Sequence, residues 1–141
     1  MDVADVTVEE VNAFAAAELP FCTQLGIRCD ALARDEALAR WRFSRRFARP
    51  VDFASGGVIM ALADVALYFA IFTLGGIVPL ALTSELKVNF LRPAAGPRDL
   101  LARARILKRG RRVVYGLVDV YQDGAPERLV AQATTSYLMP E

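Results

Sequence analysis

The sequence predicts an α+β fold in which a curved antiparallel sheet of about six strands wraps around one long central helix. Three observations predict it. The chain has 141 residues, 55% of them hydrophobic, enough for one domain with a real core and too few for two. Between Val58 and Leu82 only Asp64 is charged, as in a helix covered on every side. Four later stretches alternate apolar and polar residues, the period of half-buried strands. A single domain over residues 1–141 is therefore expected.

Each element follows from local chemistry. Residues 7–19 predict a helix, with Thr7 as N-cap, Glu9 and Glu10 in the first turn, and Val8, Val11, Phe14 and Ala15 on one face. Pro20 marks its end. Residues 27–43 predict two short strands around a turn near Arg34-Asp35-Glu36. In the second arm Ala37, Ala39, Trp41 and Phe43 alternate with Leu38, Arg40 and Arg42. The central helix is expected from about Gly56 to Thr73, followed by a Gly75-Gly76 turn. The uncharged run from Val65 to Leu82 is long enough to cross a bilayer. However, Gly75, Gly76 and Pro79 interrupt it and an alternating strand follows, so the reading is a buried helix and no membrane partner.

After the helix, Ser84, Leu86, Val88 and Phe90 alternate with Thr83, Glu85, Lys87 and Asn89, and Pro93-Ala94-Ala95-Gly96-Pro97 closes that strand. Residues 100–108 and 112–121 flank a turn at Arg109-Gly110-Arg111. Asp123-Gly124 then turns the chain into a last strand at 129–138. Such a meander leaves free edges, and self-association is the usual way to cover them. Ala61, Ala63, Ala66 and Ala70 thin the helix for close packing, against a second copy or against the chain's own sheet.

Composition narrows the chemistry. Histidine is absent, which removes Ser-His-Asp and Cys-His nucleophiles and imidazole-bound metals. Two cysteines, Cys22 and Cys29, are too few for a zinc site and read as free thiols. The acidic start Met1-Asp2-Val3-Ala4-Asp5 is unlike a secretory signal, so a cytoplasmic location is expected. Charge is uneven despite a net +1: from Arg92 to Arg112 eight basic residues face one acid, Asp99, and a second basic run holds Arg40, Arg42, Arg45, Arg46 and Arg49. An anionic ligand, or merely a solvated face, accounts for either run. No signature of nucleic-acid binding accompanies them, and phosphate-cradling glycine loops are missing.

The candidate chemistry lies between Arg49 and Asp64. Ser55 suits an N-cap, and Gly56 and Gly57 leave backbone N–H groups open at the positive end of a helix, where a developing oxyanion can be held. Two turns on, Asp64 sits among Met60, Ala61, Leu67 and Tyr68, an expensive place for a carboxylate unless it does something. It suits a base or a nucleophile, or else a structural partner for an arginine such as Arg49.

The run Ser-Gly-Gly-Val-Ile-Met-Ala-Leu-Ala-Asp at 55–64, with Thr-Ser-Glu-Leu-Lys-Val-Asn-Phe-Leu-Arg-Pro-Ala at 83–94 and Lys-Arg-Gly-Arg-Arg at 108–112, resembles the hotdog-fold acyl-CoA thioesterases of the phenylacetate-degradation (PaaI) type. The resemblance covers roughly residues 20 to 140. It implies thioester hydrolysis at a site shared by two subunits of a homodimer or homotetramer, without a metal or redox cofactor. Asp64 would be nucleophile or general base, the Gly56 N–H would polarise the carbonyl, and the Thr83 hydroxyl would place the attacking water. Gly57 and Arg49 would border the substrate, and Arg105, Lys108, Arg109 and Arg111 are candidates for the coenzyme A phosphates. The family's usual Asn and His are replaced by Arg49 and Ser55. Ser55 would either donate to the carbonyl or simply cap the helix. The replacement also keeps open a non-catalytic acyl-CoA-binding or regulatory hotdog protein.

Overall fold

A computed structural model describes residues 3–141. Helix α1 spans Val8–Glu18, and Thr7 and Glu10 cap it reciprocally: the Thr7 side chain accepts from the Glu10 N–H while the Glu10 carboxylate accepts from the Thr7 N–H. Pro20 does not only end that helix. It occupies the first turn of a second short one, α2 (Pro20–Leu25), where its missing N–H costs nothing, and Gly26 closes α2 in the left-handed conformation.

Strands β1 (Ile27–Ala33) and β2 (Glu36–Trp41) form the expected hairpin. The sequence predicts no element for the next segment. Two 3-10 turns, Arg45–Phe47 and Pro50–Asp52, alternate with two-residue strands that pair with each other, β3 (Ala48–Arg49) and β4 (Phe53–Ala54). This compact strap delivers the chain to α3 (Gly56–Phe72), with β5 (Leu82–Phe90), β6 (Leu100–Arg109), β7 (Val113–Gln122) and β8 (Leu129–Leu138) following.

The six long strands make one antiparallel sheet in the order β1-β2-β6-β7-β8-β5. Small inward residues, Ala37 and Ala39 on β2, Ala102 and Ala104 on β6, Ala131 and Ala133 on β8, make a trough for α3. Gly116 lets the helix approach most closely, since a Cβ there would run into the Leu67 side chain and the Arg105 carbonyl. All residues from Val65 to Phe72 are buried, and burying each of Leu67, Phe69 and Phe72 contributes about 1.5–3 kcal/mol. The run that is long enough for a bilayer is thus the core, and among the described residues no helix is long and apolar enough to cross a membrane.

Ala63, Ala66 and Ala70 face the chain's own sheet and are fully buried by it; only Ala61 is partly open. They leave no thinned helix face for a second copy. The uncovered feature is β5, a nine-residue edge strand whose outer side pairs with nothing among the described residues.

Candidate active site

Asp64 stands on α3 and is partly exposed, not sealed in the core as its sequence neighbours suggest. Its carboxylate is held from the sheet. The Thr83 hydroxyl donates to Oδ1 at 2.7 Å, and the Tyr137 phenol lies 2.8 Å from the same oxygen and 2.9 Å from the Asp64 backbone carbonyl. Among the described residues Oδ2 has no hydrogen-bond partner.

Strand pairing explains why two hydroxyls meet one oxygen. Thr83 on β5 and Tyr137 on β8 are direct partners in the ladder, so their side chains share a face. Simple alternation places Thr83 with Glu85 on the outer face. A bulge between Thr83 and Glu85 shifts the register by one and turns Thr83 inward to the helix.

Tyr137 is buried, and its ring stacks on Tyr68, centroids 5.7 Å apart and planes within 11°. The Tyr68 hydroxyl donates to the Pro79 carbonyl at 2.9 Å, tying the segment that precedes Thr83 to the same helix. Burial, then the nearby Asp64 charge, push the Tyr137 phenol well above the usual tyrosine range, so it remains a donor at any ordinary pH. Tyr68 is raised too, by burial first and then Cys22.

These groups open into a mostly apolar cleft of about 370 Å³ between the α1–α2 corner and the start of β5, walled by Leu19, Pro20, Phe21, Tyr68 and Leu82. Cys22 also borders it. Burial, and secondarily Asp64, push that thiol up to about 11, so it is neutral near pH 7 and no nucleophile.

The helix N-terminus lies elsewhere. Ser55 accepts a hydrogen bond from the Val58 N–H at 3.3 Å, the N-cap role. Gly56 faces a separate cleft of about 590 Å³ with Arg49, Ile59, Phe90 and Arg92, where its nearest neighbour is the Phe90 ring. Ser55 and Gly57 border a third, of about 360 Å³, with Phe21 and Phe47. Gly56 and Asp64 are eight residues apart on one helix, about 12 Å along its axis. The structure thus joins Asp64 to Thr83 and Gly56 to Arg49, but does not join the two pairs.

The basic candidates differ in what they are free to do. Arg109 donates to the Leu74 carbonyl at 3.0 Å, capping the end of α3. Arg105, Lys108 and Arg111 are exposed. None of these four lines the Asp64 or Gly56 cleft. The pairing of Val114 with Tyr137 does put the β6–β7 hairpin tip at the same end of the sheet as Thr83 and Tyr137. Part of the earlier arginine run is neutralised: Arg40 meets Asp30, Asp99 and Asp123, and Arg45 meets Asp52. Among the described residues no group of three metal-ligating side chains is found.

The sequence places Tyr68 beside Asp64 but does not single out Tyr137. The available signal was alternation in the last strand, which puts a phenol on the buried face, where its hydroxyl needs a partner.

A family model described as the thioesterase superfamily matches residues 52–135. A crystal structure from a Silicibacter species, provisionally named a thioesterase, is 32% identical, with a TM-score of 0.88 covering 98% of this chain and 94% of that one. A mutant of the phenylacetic acid degradation protein PaaI from Thermus thermophilus is 28% identical with a TM-score of 0.74, covering 86% of this chain and 99% of that one. A Saccharolobus solfataricus protein provisionally named an esterase is 28% identical over 135 residues, 95% of this chain and 86% of that protein.

Proposed function

The chain belongs to the thioesterase superfamily and has its hotdog fold, and we propose that it hydrolyses an acyl-CoA thioester to the free acid and coenzyme A by carboxylate-assisted attack on the carbonyl. The observation that carries this reading is the Asp64 carboxylate, fixed through Oδ1 by Thr83 and Tyr137, with Oδ2 unpartnered beside an apolar cleft. An apolar cleft suits the acyl group, and a fixed carboxylate with one open oxygen suits proton abstraction from water or direct attack.

One helix cannot supply both the carboxylate and the carbonyl-polarising N–H to a thioester, since Asp64 and the Gly56 N–H stand about 12 Å apart and a carbonyl carbon and its oxygen are about 1.2 Å apart. A second copy supplies the missing half. Its helix N-terminus, with Gly56 and Gly57, meets the Asp64 cleft of the first, and the unpaired β5 edge gives the two copies a place to join. The assembly is a homodimer, or a homotetramer built from such dimers.

Arg49 lines the Gly56 cleft, where the resemblance replaces a neutral amide by a cation, and a guanidinium there favours a developing oxyanion. Ser55 accepts as the helix cap, which leaves its hydroxyl proton free to donate to a carbonyl. Arg105, Lys108 and Arg111 are the exposed basic residues available to coenzyme A phosphates; Arg109 is held by the helix end. The same replacements favour the second reading, an acyl-CoA-binding protein without turnover.

The test is thiol release from short, medium, long and aromatic acyl-CoAs, with wild type beside Asp64→Asn. Turnover that vanishes in the variant is expected. No turnover on any thioester, with calorimetry still showing them bound, would replace the enzyme by the binding protein.

A further inference from the structure

Tyr137 lies 73 residues from Asp64 in sequence, on the far strand β8, yet its hydroxyl touches Asp64 twice, at Oδ1 and at the backbone carbonyl. A phenol has one proton, which two acceptors of Asp64 share, and the Thr83 hydroxyl lies within hydrogen-bond reach of the same phenol. Thr83 brings a second donor to Oδ1. Oδ1 is therefore crowded by donors, whereas Oδ2 is not.

The ring is fixed independently of Asp64. It is 4% exposed and stacked on Tyr68, which is bonded through its own hydroxyl to Pro79. The donor's position is thus set by the sheet and by an aromatic pair before the carboxylate takes up its orientation.

We propose that Tyr137 is a positioning residue: its phenol, with Thr83, pins Oδ1 of Asp64 so that Oδ2 is the oxygen that reacts in the cleft. The assignment rests on the hydrolase reading of Asp64 and deepens it. As water attacks, its oxygen bonds to the thioester carbonyl carbon and one of its protons passes to Oδ2. As the tetrahedral intermediate collapses, the carbon–sulfur bond breaks and that proton leaves with the thiolate, so that acid and thiol are formed and the carboxylate is restored. Throughout, Oδ1 keeps its two donors and the carboxylate plane holds its angle to the cleft. A carboxylate free to rotate would spend part of its time with neither oxygen aligned.

Tyr137→Phe keeps the ring and its stack on Tyr68 and removes only the hydroxyl. The expected result is a fall in kcat of roughly tenfold to a hundredfold, the scale of a small misplacement of a reacting group, with KM unchanged and a native circular dichroism spectrum. Crystal structures of wild type and variant give a second readout, in which the Asp64 carboxylate turns or takes two orientations. Wild-type kcat in Tyr137→Phe, with Asp64→Asn inactive, overturns the positioning role and leaves the carboxylate reading intact. So does a change confined to KM, or a loss of kcat with an unmoved carboxylate in the variant's crystal structure. Absence of turnover in the wild type sinks the hydrolase reading instead, and the orientation of Asp64 in the two crystal structures then decides the Tyr137 assignment by itself.

Discussion

Gly56 and Asp64 stand on one helix, eight residues apart, and open into different clefts. The two chemical halves of the proposed reaction are therefore separated within a chain, and subunit mixing tests how they are reunited. Gly56→Pro is the useful variant. Gly56 is the first helical residue, where proline is tolerated, and Ser55 before it has the extended backbone (φ −73°, ψ 151°) that a following proline requires. The change deletes the N–H and keeps the helix. Gly56→Pro and Asp64→Asn are each expected to be inactive alone. Refolded together in equal amounts, half the dimers carry one whole site, so activity returns to about a quarter of wild type. A mixture as inactive as its components would mean that the site lies within one chain.

What the sequence showed of this site was its local half. The apolar run with one acid located α3 and Asp64, and alternation located the strands, because both signals repeat over many residues. Pro20 reads as a stop because a six-residue helix has too few turns for a period. The β3–β4 strap, two residues a strand, has no period at all. Thr83 belonged to the outer face by alternation and reaches Asp64 through a bulge, a single inserted residue that leaves no mark in composition. Alternation marks Tyr137 as inward-facing, but its partnership with Asp64 depends on β5 crossing the sheet to pair with β8, a long-range choice of register.

The close approach at Gly116 gives a stability prediction. Gly116→Ala sets a methyl group against Leu67 of α3 and the Arg105 carbonyl, and a packed helix and a sheet backbone have little room to yield. A loss of about 1–3 kcal/mol is expected from such overpacking. Urea unfolding measures it. A variant as stable as wild type would show that the helix can lift off the sheet at no cost.

The buried thiols predict an alkaline limit. Burial is the first cause at both: Cys22 is raised from 9.0 to about 11 and Cys29 to about 12. The folded values exceed the unfolded ones, so the unfolded chain releases these protons first as pH rises. Stability from this source is complete below about pH 9 and is lost progressively between pH 9 and about 11–12, by an amount on the order of a few kcal/mol. Tyr137 and Tyr68, also raised, act in the same direction at higher pH. Urea midpoints measured across this range should fall, and should fall less in a Cys22→Ala, Cys29→Ala double variant. Parallel curves for the two proteins would assign the alkaline loss to other groups.

Arg40 predicts a salt-dependent defect. Its guanidinium holds Asp30 at 2.7 Å and both Asp99 and Asp123 at 3.0 Å, while Asp99 also accepts from the Phe43 N–H at 2.8 Å. One side chain thus ties the β1–β2 hairpin to the entry of β6 and to the β7–β8 turn. Arg40→Met keeps the aliphatic stem but leaves three carboxylates near one another with only the exposed Arg28, 3.1 Å from Asp30, as a counter-charge. Because Asp123 is about half exposed, solvent screens part of this, and a loss of about 1–3 kcal/mol is expected at neutral pH. Arg40→Lys should recover only a fraction, since one ammonium cannot reach three acids as a planar fork does. Added salt screens the repulsion among the acids, and the gap between Arg40→Met and wild type should narrow as it rises. Urea unfolding at low and high salt decides it: a gap indifferent to salt would mean that packing of the arginine stem, and not the charge cluster, holds these three segments together.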